Sequence, residues 1–115
     1  MLQFHHRFHG HGSLRFVYAH GKAVRSSLIV VKSSHNPRRK HSRFAVVVSK
    51  KVMKSAVRRN RIRRRVYEII RQELPRLHAG RDVACIIVSG EVLTMPHEAL
   101  QAAVQQLFSQ ASLYK

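Results

Sequence analysis

The stretch Ser49-Lys50-Lys51-Val52-Met53-Lys54-Ser55-Ala56-Val57-Arg58-Arg59-Asn60-Arg61-Ile62-Arg63-Arg64-Arg65-Val66-Tyr67-Glu68-Ile69-Ile70 carries two patterns at once. Ile62, Val66, Ile69 and Ile70 fall at i, i+4, i+7 and i+8, the spacing of a helix that buries one stripe. Ser55 offers a hydroxyl to the first free amides and Pro75 stops the run, so the spacing predicts a helix over 55–74. The second pattern is charge. Arg61, Arg64 and Arg65, followed by Glu68, lie beside the stripe at i, i+3, i+4 and i+7, while Arg59 and Arg63 flank its other side. A Glu68–Arg64 pair at i, i+4 would stabilise by only about 0.3–0.5 kcal/mol and leave the other arginines uncompensated.

Upstream of this helix, Phe44-Ala45-Val46-Val47-Val48 is a β-branched run whose alternation puts Phe44, Val46 and Val48 on one face and Ala45, Val47 and Ser49 on the other. The bulkier set is expected to face the core, leaving a shallow face of smaller residues. Downstream, after Ala79-Gly80, Val83–Val88 is continuously apolar, as in a strand covered on both sides. Strand, helix and strand form a βαβ unit with a parallel pair. Earlier in the chain, Leu28-Ile29-Val30-Val31 precedes the basic loop Ser33–Lys40, which reads as an antiparallel connection to the 44–48 strand. Ser13 is a candidate cap for a short helix with Leu14, Val17 and Tyr18 on one side and Gly21 as its stop. Leu100, Ala103, Val104, Leu107 and Phe108 mark an amphipathic final helix over 97–109. The expectation is one α/β domain of two-layer α+β type over 13–115, with about four strands in a mixed sheet, preceded by a basic, histidine-rich arm over 1–12. Taking Lys22–Val24 as a short first strand gives the order αβββαβα.

Charge is distributed as unevenly as apolar character. Residues 1–67 hold 18 Lys/Arg and no Asp/Glu, whereas residues 68–115 hold 4 Lys/Arg and 5 Asp/Glu. Between Arg38 and Arg65 lie 13 Lys/Arg without one acid, whereas a solvated charged face ordinarily interleaves both signs. Like charges at this density oppose folding unless an anion compensates them, so the segment is expected to bind nucleic acid. Arginine forks hold phosphate oxygens bidentately or stack on bases, and Phe16, Tyr18 and Phe44 are candidate stacking platforms, with core packing as the alternative, evenly balanced for Tyr18 and the preferred reading for Phe44. A protein-borne catalytic centre is not expected: Glu68, Glu73, Asp82, Glu91 and Glu98 show no metal-clustering spacing, and no nucleophile motif accompanies them. His5, His6, His9 and His11 raise a zinc alternative, disfavoured because no carboxylate or thiol lies nearby and Gly10 and Gly12 loosen the segment. The single cysteine, Cys85, excludes an intramolecular disulfide and reads as a small core residue. No apolar run reaches the ~20 residues of a membrane span, and no signal-type stretch opens the chain, so a soluble cytoplasmic protein is the expectation.

Ser49-Lys50-Lys51 followed by Ala56-Val57-Arg58-Arg59-Asn60-Arg61-Ile62-Arg63-Arg64 resembles the strand exit and Arg-Asn-Arg helix of the protein component of bacterial ribonuclease P. Arg7-Phe8, Leu14, Val17-Tyr18-Ala19-His20-Gly21 and Leu107-Phe108 to Lys115 extend the likeness along nearly the whole chain. The resemblance implies an accessory subunit of a ribonucleoprotein that removes the 5′ leader of precursor tRNA, with the active site and Mg²⁺ in the RNA and no cofactor held by the protein. It also implies a left-handed βαβ crossover, contrary to the usual hand. Carried over by position, Lys50, Lys51, Arg59, Asn60, Arg61, Arg63 and Arg64 become contacts to ribonuclease P RNA, while Leu14, Tyr18, Ala45, Val47 and Ser49 line a cleft for the leader. Two positions depart from the pattern. Leu14 replaces a usual Phe, and Tyr67 stands where a base often follows; Arg58 and Arg65 are expected to join the RNA contacts and make up the missing charge. A general RNA-binding protein and a protein-only nuclease using the histidines are the alternatives.

Overall fold

The computed structural model describes residues 12–35 and 40–115, with side chains described from residue 16 onward. Its order is α1 (Gly12–His20), β1 (Lys22–Arg25), β2 (Ile29–His35), β3 (Arg43–Val48), α2 (Ala56–Glu73), β4 (Arg81–Ile87) and α3 (His97–Gln110), the order expected from the sequence. Short 3₁₀ turns at Leu74–Arg76 and Gly90–Leu93 flank β4. The N-terminal arm and residues 36–39 of the basic loop, together with the expectations placed on them, lie outside the described residues.

The four strands form one mixed sheet ordered β1-β2-β4-β3. β4 pairs antiparallel with β2, Val31 opposite Cys85, and parallel with β3, Val46 opposite Cys85. β2 and β3 follow one another in the chain and run in opposite directions, as expected, but they are not neighbours in the sheet, because β4 lies between them. The physical reason is in β4 itself. Its run of apolar residues is buried on both faces, with Val83, Ala84 and Cys85 at most 1% exposed, so it takes a central place with both edges paired.

Two unequal cores lie on the two faces. Phe44, Val46 and Val48 of β3, Val83, Cys85 and Ile87 of β4, and Ile29 and Val31 of β2 pack with Ile62, Val66, Ile69 and Ile70 of α2 and Leu100, Val104, Leu107 and Phe108 of α3. The helical stripes read from the sequence are thus the buried ones. On the opposite face, Val17 of α1 is buried with Val30, Ala45 and Ala84, outside the main core. α1 reaches the sheet closely because of Gly21: a Cβ there would stand 2.5 Å from the Val17 carbonyl oxygen and 3.1 Å from that of Ser33. α1 begins at Gly12, one residue before the expected Ser13 cap.

Candidate nucleic-acid interface

β3 ends in a tight turn built by Ser49, whose carbonyl accepts from the Val52 and Met53 amides at 3.2 and 3.1 Å. The turn leaves Lys50 and Lys51 exposed at its tip. Ser55 then caps α2, accepting from the Arg58 amide at 3.2 Å. The polypeptide therefore passes from strand to helix within seven residues, and the free amides and partial positive charge of the α2 N-terminus join the lysines at one end of the sheet.

The arginines of α2 divide into two sets. Arg59 donates to the Met53 and Lys54 carbonyls at 3.0 and 2.7 Å, closing the turn that precedes the helix. Arg65 donates to the Val92, Leu93 and Met95 carbonyls at 2.5–2.9 Å, anchoring the 3₁₀ turn after β4. These two guanidinium groups are committed to the fold. Arg58, Arg61 and Arg64 are exposed, and their side chains make no hydrogen bond or ion pair among the described residues; the same holds for Lys50, Lys51 and Lys54. Arg63 lies between the sets, donating to the Asn60 side-chain oxygen at 2.5 Å and leaving the Asn60 amide donors outward. Val57, Asn60, Arg61 and Arg64 fall at i, i+3, i+4 and i+7, one continuous outward stripe, and Val57 is 69% exposed within it.

The stripe ends at Glu68. Its carboxylate pairs with Arg71 at i+3, not with Arg64 as the sequence suggested, and the Arg71 hydrogen bonds hold its pKa below the usual carboxylate range. Tyr67 serves the sheet: its hydroxyl accepts from the Val46 amide at 3.2 Å. β3 is an edge strand, so the phenol covers an otherwise open N–H. Elsewhere in the basic segment, Arg43 is spent on a buried bidentate pair with Asp82, at 3.1 and 3.0 Å, directly across the β3–β4 register.

The opposite sheet face carries the expected cleft residues. Ala45 and Val47 of β3 stand beside Ala84 and Ile86 of β4, and Val47 and Ile86 remain partly open beyond the cover of α1. Tyr18 shares this face, with Lys32 of β2 5.6 Å from its ring centroid and donating to its carbonyl at 3.2 Å. β4 separates β2 from β3, so Tyr18's partner strand and the Ala45–Val47 strand are roughly 10 Å apart at two strand spacings. The trough this leaves is open over Val47 and Ile86, with Ala45 and Ala84 buried beside them and the Tyr18 ring and Lys32 at one wall. Ser49 is exposed but lies in the turn beyond the strand, and the Leu14 side chain is outside the described residues.

Glu73 and Lys32 were missed as structured groups. Glu73 is wholly buried, accepting from Tyr114 at 2.6 Å, Arg76 at 2.8 Å and Gln105 at 3.3 Å. Its signal was present in the sequence, because it continues the apolar stripe seven residues after Val66. Lys32 carried no such mark.

Against known proteins, the sequence profile named Ribonuclease P matches residues 2–112. The ribonuclease P protein component of a Synechocystis strain is 36% identical over 97 residues, covering 84% of this chain and 77% of that one. Its counterpart from Microcystis aeruginosa is 33% identical over 111 residues, covering 94% and 92%. In structure, the ribonuclease P protein of Staphylococcus aureus superposes with a TM-score of 0.84 over 96% of this chain and 98% of its own, at 23% identity, which establishes a common fold. Profile, sequence relatives, αβββαβα order and the Arg-Asn-Arg helix agree, and the chain belongs to the ribonuclease P protein family.

Proposed function

We propose that this protein binds the RNA subunit of ribonuclease P through the α2 stripe and the turn before it, and that it takes the 5′ leader of precursor tRNA along the open face of the sheet. The observation that carries the reading is the set of cations without a partner among the described residues, Lys50, Lys51, Arg58, Arg61 and Arg64, gathered where β3 passes into α2. Such a set binds phosphates with release of counterions, and its affinity falls steeply with salt. The trough beside Tyr18 supports the second part, since a single strand needs a stacking surface and backbone charge more than hydrogen-bonding specificity.

Cleavage on this reading belongs to the RNA and its Mg²⁺, in the cytoplasm where precursor tRNA is made. The protein's described carboxylates are dispersed: Glu68 pairs with Arg71, Glu73 is buried among three donors, and Asp82 holds Arg43. What the protein supplies is binding, orientation of the leader and screening of repulsion between two RNAs. The test is cleavage of precursor tRNA at varied Mg²⁺, with protein alone, bacterial ribonuclease P RNA alone, and both together. The expected result is no cleavage by protein alone and a lower Mg²⁺ requirement for the mixture. Cleavage by protein alone would overturn the accessory role; an unchanged Mg²⁺ requirement would reduce the protein to a general RNA binder.

A further inference from the structure

A second group of cations without partners among the described residues lies away from α2. A pocket of about 390 Å³ opens at the end of the sheet where β1 and β4 begin and β2 finishes, and Lys22, Ser33, His35, Arg81 and Ser112 line it. The strand register places the first four. Lys22 stands opposite Ser33, and His35 opposite Arg81. All four share the sheet face of Val24, Val31 and Val83, which is the α2–α3 side, so the pocket lies across the sheet from the Tyr18 trough. It is also at the far end from the arginine stripe. α2 runs back along the parallel β3–β4 pair, and β4 from Arg81 to Ile87 spans roughly 20 Å.

The chemistry of the lining is consistent. The side chains of Lys22, Ser33, His35, Arg81 and Ser112 make no hydrogen bond or ion pair among the described residues. Two permanent cations, an imidazole and two hydroxyls therefore converge, with the cations contributing only donors and each hydroxyl able to turn its proton toward an anion. His20, its ring tilted against that of Phe16 with centroids 4.7 Å apart, adds another imidazole at the rim. The adjacent acid, Asp82, projects from the opposite sheet face and is held by Arg43. Two elements oppose an anion, the C-terminal end of α1 at His20 and that of α3, because the dipole at each disfavours negative charge. Several of their last carbonyls are already engaged: Val17 accepts from Gly21, and Leu107, Phe108 and Ser109 accept from Ala111, Leu113 and Ser112. Ser112 adopts the left-handed conformation, φ 58°, that closes this cap.

We propose that this pocket is a second phosphate-binding site, separate from the α2 stripe, that holds either a backbone phosphate of bound RNA or a small free phosphate anion. The RNA source rests on the function proposed above; the site itself does not. The experiment is an amide ¹⁵N–¹H NMR titration of the full chain with inorganic pyrophosphate, in chloride buffer that keeps it folded, for the native protein, Lys22→Gln and Arg81→Gln. A saturable shift of the Ser33, Ser34, His35 and Arg81 amides is expected, weakened at least tenfold in either variant, with the Asn60–Arg64 amides responding as in the native protein. No saturable shift there, or equal shifts in all three proteins, would overturn the site. Binding of ribonuclease P RNA as a function of salt then separates the sources. A slope lower by about one unit in each variant marks an RNA phosphate, and an unchanged slope with pyrophosphate binding intact in the native chain marks a small anion. Lys22 is exposed, so its substitution keeps the fold should Arg81→Gln disturb β4.

Discussion

Glu73 shows how a single residue ties distant segments together. It occupies the buried stripe of α2, and its partners Gln105 and Tyr114 are 32 and 41 residues later in the chain. The stripe was legible from spacing alone, but these two hydrogen-bond donors were not, because nothing local connects them; the cation that neutralises Glu73, Arg76, is only three residues away. Tyr114 in turn seats the C-terminus, bridging to Leu77, while the Lys115 amide reaches the Arg76 carbonyl at 2.9 Å. Burial, followed by its bond to Glu73, pushes the Tyr114 phenol well above its usual range. Glu73→Ala should lower the unfolding free energy by about 2–3 kcal/mol in urea, Tyr114→Phe by about 1 kcal/mol; equal midpoints for all three proteins would contradict this role. Cys85 gives a pH-dependent prediction. Burial pushes its thiol up to about 12. With the folded value raised, the native state keeps a proton that the unfolded chain releases, so this contribution is complete below the ordinary thiol value and is lost as pH rises toward 12. Cys85→Ala should therefore show a shallower alkaline fall in stability, and the native thiol should resist a disulfide reagent at pH 8 until denaturant is added. Rapid native modification would contradict the burial.

At the scale of elements, apolar patterning marked the helices and the strands β2, β3 and β4, whereas β1 carried no such pattern and entered only as an assumed short strand; strand order came from burial on both sides of β4. A reading that joins neighbouring runs places β2 beside β3; the long-range demand to pair both edges of an apolar strand overrides it. The position of α1 depends on Gly21, whose amide also donates to the Val17 carbonyl at 2.8 Å. Gly21→Ala sets a methyl against two backbone carbonyls, neither of which is a flexible side-chain end. It should cost about 1–3 kcal/mol and lift α1 from the trough, weakening binding of precursor tRNA more than binding of the ribonuclease P RNA alone. Equal losses for the two ligands would show that α1 does not serve the leader face. Tyr67 illustrates a substitution whose meaning only the structure supplies: read along the helix it is a missing charge, but across the molecule it is the cover of an edge-strand amide.

The whole molecule carries +17 at neutral pH, and of its five acids only Glu73 and Asp82 are buried, each holding an arginine. Repulsion on that scale is relieved by any anion that binds the native state alone, so the free protein should gain helical circular dichroism and melting temperature in millimolar sulfate or phosphate at constant ionic strength. No change would show that the cation clusters do not strain the native state. Charge also explains how much of the interface was legible. The sequence located the basic segment and its helix, but one-dimensional counting could not separate an arginine facing solvent from one reaching back to carbonyls 27–30 residues away, as Arg65 does. That division is the claim most directly open to measurement. Salt-dependent binding to ribonuclease P RNA and urea unfolding, run in parallel on Arg61→Ala, Arg64→Ala and Arg65→Ala, resolve it. For Arg61→Ala and Arg64→Ala the expected result is a salt slope lower by about one unit with unfolding unchanged. For Arg65→Ala it is an unaltered slope with about 1.5–3 kcal/mol of stability lost. An Arg65→Ala variant that keeps its stability but loses slope, or Arg61 and Arg64 variants that bind as the native protein does, would contradict the division.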